Sequence, residues 1–468
     1  MEKRSLIPVI PFILALTAGA LTFPPWSTLT YDGALYIDIA RNLARDITDF
    51  TYQGVYMMYR PPLYPYTLSV LFRFAPLDTH LTAARLVSLL SFALTAVLVS
   101  LLARELLMGE AKAILASLFY IFNPLAFTMA TRELVHSEFT LFYTLAIYLL
   151  YTGRKRGSEA RIYGAFVAAG LAILTRYTGL SIIAVFLAYL WLTEHWDWVK
   201  RREYWIGFAL LVLTLSPWLY MGHVYYGGAF RPFSVASRVV TLDRPVSVSD
   251  FFKLLMEDVG RVLIALAALG FLKLRKDDEG WLLISWLFMG LAGILTVTHK
   301  ETRFITFLSP AIAVMAVLGV EVIADALGLA ARKAGVSISE NKAGIIVLVL
   351  SLLLLVPVGT QARDLKDSWN LMGKGETEVM MYALDSYPAS RLLVSPRLYT
   401  VAGYYYPGAS VDMVLDRKAV KERIAEGYYD LIVLREPSPH LNIEESGNYI
   451  LVKEFYGGKF KLYLRKEN

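Results

Sequence analysis

Apolar runs recur along the chain near residues 6–23, 81–103, 111–128, 135–152, 161–175, 178–193, 204–221, 258–272, 281–297, 304–328 and 343–359. A helix crossing a hydrocarbon core of about 30 Å needs roughly 20 residues, so the pattern predicts a polytopic α-helical membrane protein with about eleven transmembrane helices. The first run follows Met1-Glu2-Lys3-Arg4 and ends in Phe23-Pro24-Pro25-Trp26 instead of a small-residue cleavage site. It reads as an uncleaved span and not as a signal peptide.

The polar intervals then orient the spans. Lys3-Arg4, Arg104 with Lys112, Arg154-Lys155-Arg156, Lys200-Arg201-Arg202, residues 273–276 and Arg332-Lys333 mark every second loop. Because cytoplasmic loops carry the basic excess, this predicts a plasma-membrane protein with a cytoplasmic N-terminus and an extracytoplasmic tail. Two domains follow: a transmembrane domain over 1–359, with an outer loop and juxtamembrane helices at 24–80, and a soluble α/β domain over 360–468.

Three outer segments are long enough to carry structure. Residues 32–45 place Tyr36, Ile39 and Leu43 on one helical face, and Arg60-Pro61-Pro62 opens a second apolar stretch to residue 74. Both read as helices lying on the membrane surface. Residues 222–257, with Tyr225-Tyr226-Gly227-Gly228, read as a mobile loop over a site. In the tail, 391–395 and 429–434 read as buried strands and 416–426 as a helix. Residues 449–455 and 460–464 flank Gly457-Gly458 as a hairpin.

Composition narrows the chemistry. Of 468 residues, 56% are hydrophobic and 18% charged, which excludes an ordinary soluble enzyme. No cysteine is present, so a disulfide, a thiolate metal site and a cysteine nucleophile are excluded. The net charge of +6 belongs to the loop asymmetry and does not call for nucleic acid.

Ionisable groups near membrane depth are costly and need a partner or a job. Asp32, Asp38, Arg60, Arg132, Glu133, His136, Glu138, Arg176, His299, Lys300, Glu301 and Arg303 come from separate stretches of sequence, yet the topology puts all of them on the outer side. Arg60, Arg176, Lys300 and Arg303 suit a phosphate group, and Asp32 and Glu138 suit proton transfer or a metal. Each residue also has a plainer reading. Asp32 can be a helix N-cap, while Arg60, Lys300 and Arg303 can anchor helices to headgroups. Arg176 can pair with Glu138, and Arg132 with Glu133 or Glu138. His136 and His299 are weak metal candidates beside Asp32 and Glu138, and a divalent metal is left open.

Several short motifs appear in one order: Tyr31-Asp32-Gly33-Ala34-Leu35-Tyr36, Tyr59-Arg60-Pro61-Pro62-Leu63-Tyr64-Pro65, Glu138 at a span start, Thr175-Arg176, Pro217-Trp218, and Arg303-Phe304 through Pro310. Together they resemble the GT-C glycosyltransferases, in particular the protein O-mannosyltransferase and aminoarabinose-transferase branch. The resemblance covers nearly the whole chain. It implies transfer of a sugar from a polyprenyl- or dolichyl-phosphate donor to a hydroxyl acceptor on the outer face, with inversion. By the same resemblance Asp32 is the general base, and Arg60, Arg176, Arg303 and Lys300 bind the donor phosphate. Tyr36, Tyr64, Glu138 and Arg132 are substrate-contact candidates. Two departures stand out: Gly33 occupies a position often acidic in the family, and Leu35 one that is basic in the aminoarabinose branch. A transporter or flippase of polyprenyl-linked sugars is the rival reading, but it predicts repeated halves, and the sequence shows none. A receptor is the third reading, and it does not need cations in short turns.

Overall fold

The computed structural model describes residues 8–242, 245–334, 340–415, 417–439, 441 and 443–466. The chain forms two compact units. The first comprises residues 1–23, 58–64 and 85–367, and the second residues 24–57, 65–84 and 368–468. Much of the first outer loop therefore packs in the same unit as the tail.

The first unit is helical. Among the described residues, six helices of the chain are long and apolar enough to cross a membrane. The other predicted spans fall on shorter or more polar helices. Val9–Leu21 has 13 residues, and Glu110–Ile121 stops before Asn123-Pro124. There the Asn123 side chain accepts from Ala126 N at 3.1 Å and Pro124 starts a new helix, Pro124–Met129. The helix His136–Lys155 carries its charges at its two ends.

Close helix contacts rest on small residues, as expected where lipid supplies no hydrophobic drive between helices. Helices Arg261–Gly270 and Ser309–Lys333 approach so closely that a Cβ on Gly319 would lie 2.0 Å from the Leu266 carbonyl oxygen, and one on Gly270 2.3 Å from that of Met315. At the far end of His136–Lys155, about 27 Å along its axis, Arg154 bonds Glu194 at 2.5 Å, Asp278 at 2.8 Å and the Tyr189 hydroxyl at 2.8 Å. Polar clusters thus occupy both ends of the helices, with apolar packing between.

The sequence reads 222–257 as a loop, but the described part holds two helices, Arg231–Leu242 and Val248–Leu255. Pro232, Phe233, Ala236 and Val239 recur at helical spacing, and the Ser247 hydroxyl caps the second helix at Asp250 N, 3.1 Å away.

The second unit contains a ribbon, β1 (Thr51–Tyr52) with β2 (Val55–Tyr56), and a five-stranded sheet. The sheet strands are β3 (Arg391–Val394), β4 (Ser410–Met413), β5 (Leu431–Arg435), β6 (Tyr449–Phe455) and β7 (Phe460–Arg465). They run in the order β4-β3-β5-β7-β6; β3 pairs parallel with β4 and β5, and β7 antiparallel with β5 and β6. Leu393, Ile432, Leu434, Ile424 and Tyr463 form its core. The predicted strands, hairpin and helix are present, the helix as Arg417–Ala425, with Asp416 outside the described residues.

The helix Tyr31–Arg45 belongs to this unit and buries Tyr36, Ile39 and Leu43 as its periodicity predicts. It packs on the helix Tyr399–Tyr405, where the Thr400 hydroxyl donates to the Tyr31 carbonyl at 2.8 Å and Arg41 donates to that of Tyr404 at 2.9 Å. The Tyr52 hydroxyl donates to the Tyr399 carbonyl at 2.7 Å. The stretch after Arg60 becomes the helix Leu63–Phe72, so Arg60 stands just before a helix entrance.

Candidate active site

The first unit gathers two of the predicted cations around one aromatic ring. Arg176 follows the helix Glu159–Thr175 in extended backbone, and its guanidinium lies 4.5 Å from the Phe304 ring centre. Arg303 approaches the same ring at 5.8 Å. The buried His136 ring stacks beside Phe304 at 6.4 Å and 17°, and Arg176 Nη1 lies 3.3 Å from both of its nitrogens. The guanidinium thus sets a positive charge against the His136 ring. Glu301 bonds Arg303 and lies 2.9 Å from His299 Nε2, setting a carboxylate beside the cluster. Among the described residues, no three His, Asp or Glu side chains converge as a metal site.

Arg176 is held in a short turn. A Cβ on Gly179 would sit 2.9 Å from the backbone of Ala172, so the chain folds back tightly against the helix it has just left. Arg176 Nε lies 3.4 Å from the Thr178 hydroxyl. The guanidinium groups are half-buried, the environment in which a fixed cation acts strongly on a developing anion.

Other candidates lie in different surroundings. Arg60 is half-buried with its guanidinium 5.3 Å from the Tyr59 ring, and Tyr64 is fully buried. Glu138 is buried in the first turn of His136–Lys155, where the helix dipole favours a carboxylate. Lys300 is 7% exposed and donates to the Val246 carbonyl at 3.0 Å, which ties the Thr298–Lys300 stretch to the segment before Val248–Leu255. Arg132 is fully buried against Glu133 at 3.2 Å, and Glu133 also takes Arg85 Nε at 2.9 Å. Lys366, also buried, donates to the Phe127 carbonyl at 3.0 Å and to the Thr131 hydroxyl at 2.8 Å.

Arg85, Lys366 and Tyr177 were not among the residues singled out from sequence. A signal existed for Arg85, a lone guanidinium inside the apolar run 81–103.

In the second unit, Asp32 occupies the first turn of Tyr31–Arg45. The cap is Thr30, whose hydroxyl accepts from Gly33 N at 3.1 Å, so the N-cap reading of Asp32 does not hold. Tyr36 is buried one turn on. Asp38 lies 3.9 Å from Arg41; burial pushes its carboxyl up to about 6, against the opposing pull of Arg41 and Arg45.

The model of the dolichyl-phosphate-mannose-protein mannosyltransferase family matches residues 59–221, a segment that includes Arg60, Arg132, Glu138, Arg176 and Trp218. An uncharacterized protein of Aquifex aeolicus is 25% identical over 225 residues, which are 47% of this chain and 44% of the relative's own length. The crystal structure of ArnT from Cupriavidus metallidurans bound to undecaprenyl phosphate superposes with a TM-score of 0.71 at 16% identity, covering 97% of each chain. The chain has the GT-C fold. A second GT-C structure, the archaeal oligosaccharyltransferase AglB from Archaeoglobus fulgidus with an inhibitory peptide and a dolichol-phosphate, gives 0.65 at 12% identity. That match covers 98% of this chain and 74% of AglB. The sequence resemblance to GT-C proteins, and the expected polytopic membrane architecture with a small α/β domain, are borne out.

Proposed function

We propose that this GT-C protein is a glycosyltransferase that moves a sugar from a polyprenyl- or dolichyl-phosphate carrier to a hydroxyl acceptor, inverting the anomeric carbon. The observation that carries this reading is the pairing of Arg176 and Arg303 on Phe304 in a GT-C fold. The ArnT structure of that fold holds undecaprenyl phosphate. The match to a dolichyl-phosphate-mannose family favours a neutral hexose such as mannose, and Leu35 speaks against aminoarabinose.

In this mechanism Asp32 takes the proton of the acceptor hydroxyl as its oxygen bonds the anomeric carbon. The bond from that carbon to the carrier phosphate breaks through an oxocarbenium-like state. The departing phosphate gains one negative charge, which Arg60, Arg176, Arg303 and Lys300 stabilise where water is scarce. Tyr36, Tyr64, Glu138 and Arg132 are proposed as substrate contacts. In this reading the N-terminus is cytoplasmic and the tail lies outside, where it helps select the acceptor.

The test is transfer from dolichyl-phosphate mannose and undecaprenyl-phosphate-linked sugars to labelled acceptors by the purified protein, with and without chelator. Asp32→Asn is expected to lower kcat about 10²–10⁴-fold. A folded Asp32→Asn protein with full activity removes Asp32 as the base, and no transfer from any carrier-linked sugar removes the reaction.

A further inference from the structure

Tyr177 follows Arg176 directly, and its hydroxyl reaches a different part of the chain. It donates to the Met58 carbonyl at 2.8 Å, two residues before Arg60. It also accepts from the Trp218 indole nitrogen at 2.8 Å. The indole N–H can only donate, so it fills an acceptor position on the Tyr177 oxygen and directs the phenolic proton toward Met58. The Tyr226 hydroxyl reaches the same backbone, at Met58 and Tyr59.

The partner on the loop is a main-chain carbonyl, so this bond fixes the path of the backbone and not one side-chain rotamer. Beyond Arg60 the chain enters Pro61-Pro62, whose rings fix φ and restrict the residue before them. Holding Met58 on one side and the prolines on the other leaves the Arg60 backbone little freedom. The support for Tyr177 is itself firm. Trp218 is 3% exposed, and the Tyr177 ring packs on Phe233 at 4.4 Å. One turn beyond Trp218, a Cβ on Gly222 would lie 2.9 Å from the Ala229 carbonyl oxygen, which closes the segment carrying Phe233 onto the same helix.

We propose that Tyr177 is a positioning residue that sets the spacing between Arg60 and Arg176, with Trp218 orienting its hydroxyl. This rests on the reading of those two arginines as carrier-phosphate ligands. A phosphate bridging two cations needs them at a fixed separation, and Tyr177 is one peptide bond from Arg176 and hydrogen-bonded to the Met58 carbonyl, two residues before Arg60.

The experiment measures binding of undecaprenyl phosphate and of undecaprenol to the full-length protein in detergent. Wild type is expected to prefer the phosphate. Tyr177→Phe should raise the Kd for undecaprenyl phosphate about tenfold, the size of one well-placed hydrogen bond, and leave undecaprenol binding unchanged. Trp218→Phe, which keeps the Tyr177 hydroxyl but not its orienting donor, should give a smaller loss in the same direction. In an Arg60→Met background, Tyr177→Phe should cost nothing further, a non-additivity that a general structural defect does not produce. Equal losses from Tyr177→Phe with and without Arg60, or equal losses for undecaprenol, overturn the positioning role while the carrier reading stands. A wild type that does not distinguish the phosphate from the alcohol overturns both.

Discussion

Replacing Glu133 by Gln removes a carboxylate that faces two guanidinium groups, Arg85 at 2.9 Å and Arg132 at 3.2 Å, all three with no side-chain exposure. Lys366 lies within electrostatic reach of both arginines. The variant therefore leaves two buried guanidinium groups without the carboxylate between them, with Lys366 nearby. Deleting one partner of a buried pair costs about 3–5 kcal/mol, and the shared position of Glu133 places this substitution at the upper end. Arg132→Met acts in the opposite sense: it removes one of the cations and leaves the Arg85–Glu133 bond in place. Such a change is expected to fall within about 1 kcal/mol of neutral. Thermal unfolding in detergent separates the two. On the unfolding entropy of a segment of this size, Glu133→Gln should lower Tm by roughly 5 °C or more, while Arg132→Met melts close to wild type. The reasoning fails if Glu133→Gln melts with the wild type, or if Arg132→Met is the more damaging change. Donor kinetics of Arg132→Met add a functional reading: a contact with substrate raises the donor KM, and a purely structural ion pair leaves it alone.

Asp38 holds its proton more tightly in the folded protein, with a pKa of about 6 against an ordinary 3.8. Its contribution to stability is full below pH 3.8 and is lost as the pH rises through about 6. Relative to Asp38→Asn, the wild type should lose about 2 kcal/mol between pH 4 and pH 7, read as a pH-dependent gap between their melting curves; parallel curves refute it. Gly319→Ala sets a methyl 2.0 Å from the Leu266 carbonyl oxygen and should cost about 1–3 kcal/mol in the same assay; a neutral result means the two helices part without strain. The chain has no cysteine, so a single cysteine at Lys155 reports orientation. It should resist impermeant labels in intact cells, and labelling from outside reverses the proposed topology.

The helices were legible because apolar run length and charged interruptions speak directly to a bilayer. The helix carrying Asp32 was legible down to its buried face of Tyr36, Ile39 and Leu43. Convergence of Arg176 and Arg303 followed from topology, since both precede or follow spans on one side. The contacts that single out particular atoms were not legible. Arg85 meets Glu133 across 48 positions, and Tyr177 meets Met58 across 119. No local periodicity encodes such pairs. The parallel strand β4 escaped as well, because its partner β3 lies beyond the intervening helix Tyr399–Tyr405 and no hairpin turn announces it. Residues 222–257 misled by their polar composition, although their apolar positions keep helical spacing.

The second unit is assembled from stretches near opposite ends of the chain. The Tyr52 hydroxyl meets the Tyr399 carbonyl across 347 residues, and Thr400 meets Tyr31 across 369. During synthesis the segment bearing Asp32 therefore emerges long before the surface it packs on exists. Until the last hundred or so residues have been made, that amphipathic helix lacks the helix Tyr399–Tyr405 on which it packs in the folded protein. A nascent chain stalled after its final span would hold the complete first-unit helices while the helix Tyr31–Arg45 still lacked the surface it packs on.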